Sequence, residues 1–258
     1  MGKRKIVLSK ISTIHYVKLI FRSVLLITAT ILYIRHRFHQ NDHPFGGIAF
    51  ESLILGGIWL AYFIETILRF FPSRFESMGC QKQFARNYKG ESDTKVKPHF
   101  TKDLIAVVIA WGLLNGLFGG LYFADIIDAG ILMLIGMAYG VCDMICILFF
   151  CPFQTWFMKN KCCGTCRIYN WDFMMMFTPL IFIPNIYTMS LVLGGLLLLA
   201  RWEVTAYRYP ERFLECTNPA LACVNCPEKL CHHKRQLQHF LKKNLHQIRL
   251  REQERMQE

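Results

Sequence analysis

Leu104–Ala124 runs for 21 residues without an Asp, Glu, Lys or Arg. As a helix it is about 31 Å long, close to the thickness of a bilayer's hydrocarbon core, so it reads as a membrane span. Three further runs have similar character. Val17–Ile34 carries Lys18 and Arg22 in its first turns, where long side chains can snorkel to the interface. Phe45–Leu68 contains Glu51 and Glu65, and Ala129–Phe150 is interrupted only by Asp143. The short Asp125–Asp128 link makes the third and fourth spans a tight helical hairpin.

A fifth block, Phe173–Ala200, has no charge in 28 residues. As one straight helix it would be about 42 Å long, and fitting it into the core would need a tilt beyond the usual range. Pro179 and Pro184-Asn185 also interrupt helical hydrogen bonding. The preferred expectation is a re-entrant hairpin with arms Phe173–Ile183 and Ile186–Ala200, about 16 and 22 Å long, neither of which spans. The alternative is a proline-kinked helix whose ends reach the headgroups. The fold class is therefore all-α: a polytopic integral membrane protein with four transmembrane helices, a fifth broken apolar element and a cytoplasmic Cys-rich region. The composition agrees, at 53% hydrophobic with mean hydropathy +0.27.

The expected organisation is a basic N-terminus (1–16), helices one and two (17–71), a loop (72–103) and the hairpin (104–150). A Cys-rich loop (151–172), the broken element (173–200), a Cys-rich tail (201–232) and a basic amphipathic helix (233–258) follow. Orientation comes from the excess of 30 Lys+Arg over 18 Asp+Glu. Connector 69–103 carries eight basic residues, 151–172 carries three and the acidic turn carries none. The two basic connectors belong inside, which puts the N-terminus in the cytoplasm of a multi-pass cell-membrane protein. Segment 35–44 then lies outside despite Arg35 and Arg37. In the re-entrant form the tail, with eleven Lys+Arg, is inside. Nucleic acid is not an expected partner, because the basic residues flank apolar runs and no recognition motif is present.

Eleven cysteines complete the picture. Cys162, Cys163 and Cys166 precede the fifth block; Cys216, Cys223, Cys226 and Cys231 follow it. A hairpin brings its ends together, and clustered cytosolic thiols are more often metal ligands than disulfides. Cys163-Gly-Thr-Cys166 and Cys223-Val-Asn-Cys226 each turn two thiolates toward one ion, so together they can form a four-thiolate zinc site. An iron–sulfur cluster is the favoured cofactor, since spare thiols remain: Cys216, Cys223, Cys226 and Cys231 can hold one cluster. Cys162, Cys163 and Cys166 can hold another, with Cys80 or Cys151 as fourth ligand. The bland reading is reduced, unliganded or lipid-modified cysteines.

Asp143 is a candidate proton or ion relay, or else a structural hydrogen-bond partner of Asn115 or Tyr139. Glu65 and Arg69 are read as an i,i+4 pair, and Arg201 and Glu203 as fixing the depth of the hairpin exit. No P-loop, GxSxG, HExxH or dinucleotide fingerprint is present. The expected function is electron transfer between a cytoplasmic donor and a membrane acceptor, with the bilayer and a redox partner or membrane complex as partners. The rivals are a zinc-knuckle-stabilised membrane scaffold or assembly factor, and a transporter using Asp143.

Overall fold

The computed structural model describes residues 9–38, 48–90, 102–159, 162, 164–226, 228, 230, 231, 234 and 236, with backbone only at 48–52. Apart from residues 234 and 236, the amphipathic segment expected at 233–258 lies outside that description, as do the Glu51 side chain and Cys163. Among the described residues every regular element is helical. Five long helices are α1 (Lys10–Phe38), α2 (Ile48–Leu68), α4 (Lys102–Phe123), α5 (Ala129–Leu148) and α7 (Ile186–Arg208). Two short ones are α3 (Met78–Gln81) and α6 (Asp172–Phe177). By length and composition α1, α4, α5 and α7 can each cross a membrane, and α2 is apolar over Leu53–Leu68. Leu53, Leu113 and Phe123 are each more than 70% exposed. Outward apolar residues on several helices form the kind of surface that lipid covers.

Helix α1 packs along α5. At one end the Tyr33 hydroxyl donates to Asp128, 2.8 Å away, and Asp128 also caps α5 by accepting from the Ile131 amide. At the other end Tyr16 meets Phe149 edge to face. That second end, where α2 finishes and α7 finishes, is called the cap end below.

The fifth apolar block breaks at Pro184-Asn185, but its arms are unequal. From the cap end the chain runs through α6 and a 3-10 stretch, Thr178–Phe182, a rise of about 19 Å. The tip is deep: Phe182 packs on Gly119 and meets Phe123 edge to face. The chain turns at Ile183–Asn185 and returns along α7. Asn185 and Thr188 form a reciprocal capping box that starts this helix. The expected second arm, ending at Ala200 and too short to span, is corrected on both counts: α7 continues to Arg208, and its 23 residues are long and apolar enough to cross a membrane. Nothing stops it before Pro210, and Trp202 and Ala206, one turn apart, keep burying one face.

Small residues let the short arm pack inside the bundle. A Cβ on Gly136 would lie 3.0 Å from the Met176 carbonyl oxygen, and one on Gly195 3.3 Å from the Met174 backbone. Phe173, Met176, Phe177 and Leu180 thereby join Tyr62, Leu191 and Leu198 in the main apolar core.

Candidate metal centre

Three connectors converge at the cap end, each held by identifiable contacts. Arg201 of α7 donates to the Phe70 carbonyl oxygen at 2.6 Å. Arg167 forms a two-point pair with Glu203 at 2.9 and 2.5 Å, and the Trp171 indole N–H donates to the same carboxylate at 2.8 Å. The Trp202 indole N–H donates to the Arg167 carbonyl oxygen. Glu203 therefore ties the exit of the hairpin to its entrance, while Arg201 ties the exit to the end of α2.

Lys82 is fully buried and donates to the carbonyl oxygens of Gly164 (3.1 Å) and Cys166 (2.8 Å). The Trp202 and Phe213 rings lie 5.3 and 5.2 Å from its ammonium. Burial brings this lysine down to about 7, with the nearby cysteines opposing. Glu228 holds the tail from the other side. Its carboxylate accepts from the Ser77 hydroxyl at 2.9 Å and from the Met78 amide, and its carbonyl accepts from Ser9 at 2.8 Å.

Between these pins Cys162 and Cys231 meet, Sγ to Sγ 3.4 Å, across 69 residues of chain. Cys226 lines the same small cavity, with Gly164, Leu221 and Leu230. Two adjacent thiols resist ionisation, and the Cys231 neighbour and burial both push the Cys162 thiol up. The amides of Gly164 and Thr165 oppose this by donating to the Cys162 sulfur. Gly164 and Cys166 thus turn their carbonyls toward Lys82, while the Gly164 and Thr165 amides offset part of the push on the Cys162 thiol. Zn–S bonds of about 2.3 Å imply a sulfur–sulfur edge of about 3.8 Å in a tetrahedral centre. The observed separation is near that value and far above a disulfide's bond length of about 2.05 Å.

The other expected ligands are elsewhere. Cys166 is buried beside Lys82, away from the Cys162–Cys231 contact. Cys216 and Cys223 are exposed. Cys80, proposed as a fourth ligand, is fully buried, bonds to the Ser77 carbonyl and is pushed up to about 12, chiefly by burial. Cys151 instead starts the helical turn Phe153–Phe157, accepting from the Gln154 amide at 3.3 Å. Among the described residues no three of His, Cys, Asp or Glu stand close enough to hold a metal.

Asp143 has a different partner from those expected. Arg22, only 2% exposed, donates to Asp143 at 3.2 Å and to the Gly140 carbonyl at 2.8 Å, and pairs with Glu65 at 3.0 Å. Arg22 therefore points into the bundle and does not snorkel. Asn115 donates to its own helix at Trp111, and Tyr139 packs on the Trp111 ring. The Glu65–Arg69 ion pair is likewise replaced: Glu65 pairs with Arg22 and Lys18, Arg69 with Glu76 and Asp172. The tertiary clues present in the sequence were Lys18 and Arg22, four apart inside an apolar run; the burial of Lys82 left no local signal.

The described residues define a helical bundle with a polar, thiol-bearing cap. Comparison with family models, curated proteins and solved structures returns no match.

Proposed function

We propose that this chain is a multi-pass membrane protein, N-terminus in the cytoplasm, whose cytoplasmic cap is clasped by one thiolate-held metal ion, and that it serves as a membrane scaffold. Zinc is the metal that suits it best. The observation that carries the reading is the 3.4 Å approach of Cys162 to Cys231, one segment before and one after the hairpin. Two thiols at that spacing fit neighbouring corners of a single tetrahedral ion, and Cys226, on the wall of the same cavity, would have to move inward to become a third ligand. The exposure of Cys216 and Cys223 and the position of Cys166 argue against two iron–sulfur clusters built from the full thiol set. A redox-inert ion that joins loop to tail would have a structural job. The basic residues of the tail would then be presented at the membrane surface to acidic lipid headgroups or an acidic partner.

Anaerobic purification followed by elemental analysis and a visible spectrum tests this. The reading requires one zinc per chain in a colourless protein, lost on Cys162→Ser or Cys231→Ser. A brown protein containing iron and sulfide would return the electron-transfer function, and protein free of both metals would remove the clasp.

A further inference from the structure

Seven ionisable side chains meet where α1, α2, α5 and α6 converge. Lys18 contacts Glu65 (3.5 Å) and Glu76 (2.5 Å); Arg22 contacts Glu65 (3.0 Å) and Asp143 (3.2 Å); Arg69 contacts Glu76 (2.9 Å) and Asp172. Phe173, 1% exposed, lies between the two guanidiniums, 5.9 Å from Arg22 and 5.2 Å from Arg69. The set has three cations and four carboxylates. Fully ionised, it would leave one negative charge uncompensated in an apolar surrounding, which is costly.

A proton is the smallest remedy, and His15 is a poor place for it. Its ring is 3% exposed and neither nitrogen meets a protein partner, so an imidazolium there would bury two unsatisfied donors. Among the carboxylates, Glu65 and Glu76 each face two cations. Asp172 meets one cation, Arg69, which it shares with Glu76, and its second oxygen is buried without a partner, so it is the competing seat for the proton. Asp143 shares one cation, Arg22, with Glu65 and with the Gly140 carbonyl. It is also the carboxylate deepest along its helix, about 8 Å inside the end of α5. Beside it, Tyr62 is 4% exposed with an unpartnered hydroxyl, and a Cβ on Gly140 would lie 3.5 Å from that oxygen. The charged groups facing Asp143 are thus Arg22 from α1, Glu65 from α2, Arg69 from the following loop and Asp172 from α6.

We propose that this network is a proton-binding site, with one proton held on Asp143 at neutral pH. The inference is independent of the thiol clasp. Infrared spectra of the full-length protein at pH 7 test it, since an un-ionised carboxyl has its own carbonyl stretch and shifts it in D2O. The expected result is one such band per chain, lost in Asp143→Asn with no fall in Tm, and retained in Cys231→Ser. A wild-type spectrum without the band overturns the proposal, as does a band that survives Asp143→Asn. If Asp143→Asn does not fold, the wild-type spectrum together with Asp172→Asn decides. Loss of the band in Asp172→Asn would put the proton on Asp172 and overturn the assignment.

Discussion

Arg22 lies near the start of an apolar run, and that context reads as a residue reaching back to the membrane surface. Only the packing of α1 on α5 brings Asp143 and the Gly140 carbonyl within its reach, and no local pattern encodes that. Glu76 is a similar case, a loop carboxylate whose meaning comes from Lys18 and Arg69. Burial would raise its carboxyl, but those two cations outweigh burial and hold it at about 2. The folded value lies below the unfolded one, so the stabilisation is complete above pH ~4.5 and is lost as pH falls toward 2. It amounts to at most about 3 kcal/mol. Denaturant unfolding of Glu76→Gln between pH 3 and 7 should show lower stability at neutral pH and a flatter acid limb than wild type. The Cys151 thiol offers a second residue-scale test. A hydrogen bond from Cys146 is the main cause bringing it down to about 6; burial opposes, while the Gln154 amide and Lys234 assist. Timed alkylation at pH 7 with peptide mass spectrometry should find Cys151 modified well before Cys166, whose thiol is raised by burial.

At the scale of elements, the break at Pro184-Asn185 was legible because proline removes a helical donor and the apolar run was too long for one span. The C-terminal limit of α7 was not. Arg201 and Glu203 look like the end of an apolar run, yet each has a specific partner in the cap, so the helix continues through them. The close packing of the short arm was also hidden, since a glycine in an apolar run carries no local mark of what approaches it. Gly195→Leu should force α6 away from α7, with a cost of about 1–3 kcal/mol typical of overpacking. It should lower Tm and increase proteolysis in the 158–171 loop. Gly112→Leu, at a position with open space around it, should do neither.

On the scale of the whole molecule, the all-helical class and most helix positions followed from hydropathy alone. The cap did not, because it is assembled from three connectors far apart in sequence. The pairing of thiols was legible as a general idea, since a hairpin brings its ends together, but not in detail. Cys162 faces Cys231 while Cys166 faces Lys82 because the buried ammonium draws the carbonyls of the loop to its own side. The account rests on that contact across the hairpin. The most direct measurement is mild oxidation of the purified protein before and after metal chelation, with disulfide-linked peptides identified by mass spectrometry. The account predicts a Cys162–Cys231 link within one chain that forms only after chelation and is absent from Cys231→Ser. Failure of these two cysteines to link after chelation, or a link that forms equally well before it, would contradict the account.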